Sequence, residues 1–196
     1  MLITEIDNRE FVNDITARLS KTREGIHLSD LEMCLKASYY RRVNPQPLSP
    51  EQAVMFAIGL GVQEYLYPKA EITHNLDGIL CSPDAHKIEV KTVRSSIKTF
   101  TPIDHPNWLW RTKGYCKVLN ATDFTLDVIF VIAAVARSWK LEFTQNEIDL
   151  MWDEAKMRRD ILAEALEKKI PPTVDFHPAW LCKKCEHAGA CWAAKE

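Results

Sequence analysis

The chain has 196 residues, a formal net charge of −2 and an apolar content of 46%. Its longest apolar run, Val128 to Ala136, is nine residues long, about half of what a membrane span requires. These values argue against a membrane protein and against a uniformly basic nucleic-acid coat, and they leave room for one soluble domain with a local basic groove.

Helix starts can be recognised along the chain from capping patterns, in which a short polar residue is followed three positions later by an acid or an amide. These patterns are Asp7-x-x-Glu10, Ser29-x-x-Glu32, Ser49-Pro50-Glu51-Gln52 and Thr144-x-x-Glu147. They predict helices at 8–22, 30–42, 50–66 and 145–168. A further helix is expected from Pro106 to Leu119.

The strands are predicted from β-branched and alternating segments. Residues 70–80 and 86–94 are expected to form two strands joined by a turn at Ser82-Pro83-Asp84-Ala85. A buried strand is predicted at 124–135 and a shorter one at 139–143. The order of elements predicts a mixed α/β domain with a central sheet flanked by helices.

Two residues of the second strand, Glu89 and Lys91, are two positions apart and therefore project from the same face. The expected hairpin would bring Asp77 beside Glu89, whereas Asp84 is interpreted as a turn former. Two carboxylates at a strand edge suit Mg²⁺ or Mn²⁺. A bound metal of this kind activates water, and Lys91 can orient that water or neutralise a phosphate.

Four of the six cysteines have an uneven spacing: Cys34 stands alone, and Cys182, Cys185 and Cys191 lie close together near the other end. Four thiolates can hold tetrahedral zinc or an iron–sulfur cluster, and spacing alone does not separate the two. Cysteine-built zinc sites usually come as two close pairs, so the one-plus-three division favours iron–sulfur. Because four thiolates complete the set, His187 is interpreted as a surface residue. Cys81 and Cys116 are interpreted as buried small hydrophobes.

The segment Asp77-Gly78 followed by Ile88-Glu89-Val90-Lys91-Thr92 resembles the PD-(D/E)XK nuclease core, specifically its RecB-like branch. Gly59-x-x-x-Gln63 resembles the Gly-x-x-x-His motif of that branch, and Arg111-x-x-x-Tyr115 its Gln-x-x-x-Tyr motif. Gln63 and Arg111 depart from the pattern. The resemblance implies Asp77, Glu89, Lys91 and Tyr115 as catalytic residues. As metal ligands it implies Asp77, Glu89, Val90 and Gln63.

The division of the cysteines, with Ser29 to Arg41 around the first, resembles the CRISPR-associated protein four family and the AddB-type helicase–nucleases. The resemblance spans residues 27–192. It implies a restriction-endonuclease-like core at 50–143 within a single domain, 1–196. It also implies a cluster element formed by 27–45 and 172–196. There Cys34, Cys182, Cys185 and Cys191 would hold a 4Fe–4S cluster, with 2Fe–2S as the lesser alternative.

The function implied is a metal-dependent DNA exonuclease acting on single-stranded or frayed ends, in CRISPR spacer acquisition or in viral or recombination DNA processing. CRISPR adaptation proteins would then be partners. The alternative is a catalytically weak DNA-end-binding adaptor on the same scaffold. A cytoplasmic location is expected, because the first residues lack a secretory signal and reduced thiols suit the cytosol.

DNA contacts are expected from a basic groove and from aromatic side chains. Tyr39, Tyr40, Trp108 and Trp110 could stack on unpaired bases, although packing explains them equally well. The candidate phosphate-binding residues are Lys36, Arg41, Arg42, Arg94, Lys98, Arg111, Lys113 and Lys117.

Overall fold

The structure, a computed structural model, describes residues 13–17, 23–66, 68, 72–173 and 179–193. The chain divides into two compact units, residues 1–24 with 47–69 and residues 25–46 with 70–196. In the described part of the chain no helix is both long enough and apolar enough to span a membrane.

In the first unit, residues 13–17 are helical, and a long helix runs over Pro50–Leu66. Its start has the predicted capping box. The backbone N–H of Ser49 donates to Gln52 Oε1 at 2.8 Å, and the Gln52 N–H donates to Ser49 Oγ at 3.2 Å. The helix predicted at 50–66 is therefore confirmed. Most of the helix predicted at 8–22 lies outside the described residues.

The second unit contains two small mixed sheets and the remaining helices. Its strands are β1 (Ile26–His27), β2 (His74–Leu76), β3 (Ile79–Cys81), β4 (Ile88–Val93), β5 (Asp123–Phe130) and β6 (Val135–Glu142). Its helices are α1 (Leu28–Leu31), α2 (Leu35–Val43), α3 (Pro106–Leu119), α4 (Gln145–Lys168) and α5 (Ala188–Ala193). Short 3₁₀ turns cover Pro102–Asp104 and Ala179–Lys184.

The sheets have the orders β1-β3-β2 and β4-β5-β6 in the described part of the chain. Strand β3 is parallel to β1 and antiparallel to β2, and β5 is parallel to β4 and antiparallel to β6. The mixed α/β class is therefore confirmed. The expectation of one central sheet is corrected to two three-stranded sheets.

The predicted hairpin between 70–80 and 86–94 is wrong. Asp77 and Gly78 form the turn of a tighter hairpin between β2 and β3, with φ angles of 50° and 74°. A two-residue Asp-Gly turn with both φ angles positive matches the twist of its flanking strands. Strand β4 belongs to the other sheet, where it pairs with β5.

Two other boundaries also differ from prediction. The helix expected at 30–42 is replaced by α1 and α2, which are separated by residues 32–34, and α1 begins at Leu28, where the His27 N–H donates to Asp30 Oδ2 at 2.9 Å. The strand expected at 124–135 ends at Phe130, and the chain turns back through Ala134, whose φ is 51°. The helices predicted at 106–119 and 145–168 are confirmed, the second with its Thr144–Glu147 capping box.

The main core joins α1, α2, α4 and the first sheet around Leu31, Leu35, Ile79, Trp152 and Leu162. A second cluster lies on one face of β4–β6, around Val93, Leu126, Val128 and Phe130. Gly114 lets α3 approach α1 closely, because an added Cβ would collide with the Leu28 side chain. This close approach positions Arg111 near the end of α1.

Candidate active site

The centre of the candidate site lies on strand β4. In the parallel register Glu89 pairs with Leu126 and Lys91 with Val128, so both charged residues project from the same face as the buried residues of β5. Both side chains are half-buried, and Lys91 Nζ contacts Glu89 Oε1. The structure therefore confirms that Glu89 and Lys91 share one face.

Arg111 extends this arrangement from α3. Its Nε and Nη2 donate to the two carboxylate oxygens of Glu32 at 2.5 and 2.6 Å, a bidentate pair. Its Nη1 lies 3.7 Å from Glu89 Oε1. Only 9% of the Glu32 side chain is exposed. Glu32, Arg111, Glu89 and Lys91 thus form a row of alternating charges, here called the β4 centre.

Burial of Arg111 acts to lower its pKa, but attraction to Glu32, with smaller contributions from Tyr115 and Glu89, raises the pKa above its ordinary value. The guanidinium is therefore a permanent charge. Sequence reasoning noted Arg111 as a departure from a motif. It missed Glu32, which no local pattern connects to residue 111.

Tyr115 lies one helical turn beyond Arg111 and packs against Phe124, with ring centroids 5.8 Å apart. Burial, and then the Glu89 carboxylate, raises the pKa of its phenol. Tyr115 therefore stays protonated at neutral pH and remains a hydrogen-bond donor beside the β4 centre. Lys91 Nζ also lies 5.8 Å from the centroid of the Trp108 ring.

Asp77 has different neighbours from Glu89. It is exposed at the tip of the β2–β3 hairpin, where its Oδ2 accepts a hydrogen bond from Trp152 Nε1 at 2.8 Å. Its carbonyl accepts from Arg159. The hairpin that was expected to bring Asp77 to Glu89 does not exist, so the predicted carboxylate pair loses its geometric basis.

Asp84 lies in the turn that leads into β4 and is only 7% exposed. Its Oδ1 accepts from the His86 N–H at 2.7 Å, which confirms its role as a turn former. Among the described residues its carboxylate makes no ion pair. A buried carboxylate without a cation is costly, so Asp84 is a functional candidate that sequence reasoning set aside. The available signal was Pro83-Asp84 shortly before Glu89-x-Lys91.

The other two predicted metal ligands are Val90 and Gln63. Val90 pairs with Asp127 and points to the opposite side of the sheet from Glu89. Gln63 is half-buried on the Pro50–Leu66 helix of the first unit.

The four predicted cluster ligands are half-buried. Cys34 immediately precedes α2, and the other three belong to residues 179–193, here called the cysteine segment. The Cys185 N–H donates to the Cys182 carbonyl at 3.3 Å. Within the described ranges no three His, Cys, Asp or Glu side chains gather closely enough to hold a metal ion.

The cysteine segment lies against α2. Arg41 Nε donates to Glu186 Oε1 at 3.0 Å, and the Tyr40 hydroxyl donates to the Ala190 carbonyl at 3.3 Å. His187 stacks on Tyr40 with ring centroids 5.9 Å apart. His187 is 3% exposed, and burial lowers its pKa. The prediction of a surface histidine is therefore wrong, because the tertiary contact with α2 covers it.

Cys81 and Cys116 differ from those four. Both are buried, as predicted, and burial raises the pKa of Cys81 to about 12 and that of Cys116 to about 11. A thiol that resists ionisation is a poor metal ligand, so neither competes with the four half-buried cysteines.

Met33, the residue before Cys34, is contacted by a side chain of α4. Buried Arg158 donates to the Met33 carbonyl and to Glu154 Oε1, the latter at 2.9 Å, and it lies 5.8 Å from the Trp110 ring. Trp110 Nε1 donates to Glu154 Oε2 at 3.1 Å. These contacts fix the main chain next to Cys34.

Most of the predicted phosphate-binding residues engage protein groups. Arg42 pairs with Asp30, Lys113 with Glu147 and Lys117 with Asp149, and Lys36 is buried. Arg94 and Lys98, just after β4, are exposed. Among the aromatic residues predicted to stack on bases, Tyr39 and Tyr40 are buried in the core, so packing explains them.

Comparison with known proteins gives a likeness of fold. No protein-family model and no curated protein matches the chain. A solved structure described as "Crystal structure of SSO0001" is 19% identical, with a TM-score of 0.58. The match covers 94% of this chain and 96% of that one. At this identity it shows a shared fold and nothing about activity.

Proposed function

We propose that this protein is a divalent-metal-dependent deoxyribonuclease of the RecB-like PD-(D/E)XK type, built on a restriction-endonuclease-like core, that degrades DNA from single-stranded or frayed ends. The observation that carries the proposal is the contact between Glu89 and Lys91 on one face of β4, with Arg111 beside them. The preference for ends rests on the family resemblance, as does a place in CRISPR spacer acquisition with adaptation proteins as partners.

The carboxylates of this region suit Mg²⁺ or Mn²⁺. Mg²⁺ is commonly held by one or two carboxylates, with waters and substrate phosphates completing its shell. The positively charged side chains of Lys91 and Arg111 both contact the same oxygen of Glu89, Oε1. Asp84 adds a buried carboxylate that has no ion pair in the described part of the chain. We therefore assign Glu89 and Asp84 as the metal-holding pair, with Asp84 in the place that Asp77 held in the sequence prediction.

A divalent cation there would supply the charge that activates water and stabilises the scissile phosphate. Lys91 is a compact cation on the same face as Glu89, so it can orient a water or neutralise a phosphate oxygen. Tyr115 keeps its proton and can donate a hydrogen bond to that phosphate. The Trp108 ring lies 5.8 Å from Lys91 Nζ.

We further propose that Cys34, Cys182, Cys185 and Cys191 hold a 4Fe–4S cluster. All four are half-buried thiols, whereas the two remaining cysteines are buried and ionise poorly. The cluster would be structural, because it would join α2 to the cysteine segment across about 150 residues of chain and so restrict the unfolded state.

The test is Glu89→Gln against Glu142→Gln, which removes an acid 70% exposed on β6 of the same sheet. Mn²⁺-dependent degradation of labelled single-stranded DNA should fall at least about a hundredfold in Glu89→Gln and stay unchanged in Glu142→Gln. The visible absorbance of the iron–sulfur cluster should persist in both. Full nuclease activity in Glu89→Gln would refute the proposed active site.

The second candidate is a DNA-end-binding adaptor with weak catalysis. It is favoured by Arg111, which stands where the resembling family has glutamine and which lies against Glu89. The same DNA incubated with Mn²⁺ at high protein concentration separates the two: binding without product supports the adaptor, and product supports the nuclease.

A further inference from the structure

Arg111 is held in place more firmly than Lys91. Its planar guanidinium makes two hydrogen bonds to Glu32, at 2.5 and 2.6 Å, so its orientation is fixed. Lys91 carries its charge on a flexible four-carbon stem that can swing away when another cation approaches. The guanidinium is therefore the fixed positive charge beside Glu89.

The four charges of the β4 centre, which does not include Asp84, balance one another without a metal. Glu32 and Glu89 contribute two negative charges, and Arg111 and Lys91 contribute two positive ones. A divalent cation at Glu89 would meet a positive charge held close to the same carboxylate. In a half-buried site this repulsion is screened less than at the surface.

We propose that Arg111, clamped by Glu32, is a built-in counter-ion of Glu89 that weakens the binding of divalent cations at the β4 centre. The inference rests on the proposed function, because it concerns the metal assigned to Glu89. It makes Arg111 a positioning residue that sets the metal concentration at which the site fills. Glu32 acts through Arg111 by holding the charge in place.

The experiment measures Mn²⁺ affinity of the full-length protein by electron paramagnetic resonance of free Mn²⁺. Arg111→Gln should bind Mn²⁺ about tenfold more tightly than the wild type, because a fixed charge has been removed. The matched control is Lys113→Gln, which removes a cation from the same helix that pairs with Glu147, and it should leave the affinity unchanged.

A second variant guards against misfolding, because Arg111→Gln leaves Glu32 buried without its partner. Glu32→Gln with Arg111→Gln removes both charges, keeps the net charge of the protein and preserves hydrogen-bonding side chains. It should also bind Mn²⁺ more tightly, and circular dichroism should match that of the wild type. Unchanged or weaker affinity in this double variant would overturn the inference.

A further arm separates this inference from the proposed function. Glu89→Gln should abolish the tight Mn²⁺ site in the wild-type background and in the double variant. If Glu89→Gln binds Mn²⁺ as well as the wild type, the metal site itself is misassigned and the proposed function fails. If Glu89→Gln loses the site but the double variant gains no affinity, only the role of Arg111 is refuted.

Discussion

The β4 centre and the cysteine segment are built in different ways. The β4 centre takes its geometry from regular elements, because the strand alternation places Glu89 beside Lys91 and the close approach of α3 to α1 places Arg111 beside Glu32. The cysteine segment has only a 3₁₀ turn and a six-residue helix, and it lies against α2 through contacts at Tyr40 and Arg41.

This difference shows which interactions hold the side chains of each region in place. The β4 centre is fixed by hydrogen-bonded secondary structure and by the bidentate ion pair between Arg111 and Glu32. The cysteine segment, which carries three of the four thiols, contacts α2 through a few side chains, and the proposed cluster would gather these thiols with Cys34. Three measurements test the comparison: the reactivity of the thiols, the nuclease activity of carboxylate variants, and the proteolysis of the cysteine segment when its contact with α2 is weakened.

The largest expected effect contrasts the two buried cysteines, Cys81 and Cys116, with the four half-buried ones. At pH 8, Cys81 should react with iodoacetamide about a thousandfold more slowly than an ordinary thiol, and Cys116 about a hundredfold more slowly, because their raised pKa values keep them protonated. In metal-free protein the half-buried Cys34, Cys182, Cys185 and Cys191 should be labelled first. Mass spectrometry over time checks the order, and early labelling of Cys81 would contradict its burial.

The raised pKa values also set the sign of a pH effect. Between about pH 9 and 12 the unfolded chain loses the Cys81 proton while the folded protein keeps it, so stability should fall as the pH rises through this window. Replacing Cys81 with Ala should reduce that slope in urea unfolding curves.

The next effect separates Asp84 from Asp77, the two acids considered as partners of Glu89. Asp84→Asn should reduce Mn²⁺-dependent nuclease activity about a hundredfold, because it removes the buried carboxylate that precedes Glu89. Asp77→Asn is the matched control and should retain most activity, since Asp77 contacts Trp152 and Arg159. The reverse ranking would restore Asp77 as the metal ligand.

The smallest effect concerns the contact between α2 and the cysteine segment. Tyr40→Phe removes the hydroxyl that donates to the Ala190 carbonyl and should weaken this contact by about 1 kcal/mol. Limited proteolysis should then cut the cysteine segment about fivefold faster. Tyr39→Phe is the control, because in the described part of the chain the Tyr39 hydroxyl makes no hydrogen bond to this segment. Equal cleavage in both variants would show that the hydroxyl does not hold the segment.

Local chemistry made much of the fold predictable. The helix starts at Ser49 and Thr144 were evident because a capping box is complete within four residues. The shared face of Glu89 and Lys91 followed from the two-residue period of a strand. The hairpin at Asp77-Gly78 was also available from sequence, because Asp-Gly is a strong two-residue turn signal.

Other features depend on residues far apart in the chain. The end of β5 at Phe130 falls within an unbroken apolar run, so no turn residue marks it. Glu32 and Arg111 are 79 positions apart, and the burial of His187 depends on Tyr40 on another helix.

The sequence by itself determined the helix caps at Ser49 and Thr144, the strand alternation and which residue types carry the candidate chemistry, because each is a property of neighbours along the chain. Only the tertiary structure decided that β4 leaves β3 for a second sheet, that Asp84 is buried while Asp77 is exposed, and that Arg111 lies between Glu32 and Glu89. Strand pairing, burial and close helix packing join distant residues, so no local pattern specifies them.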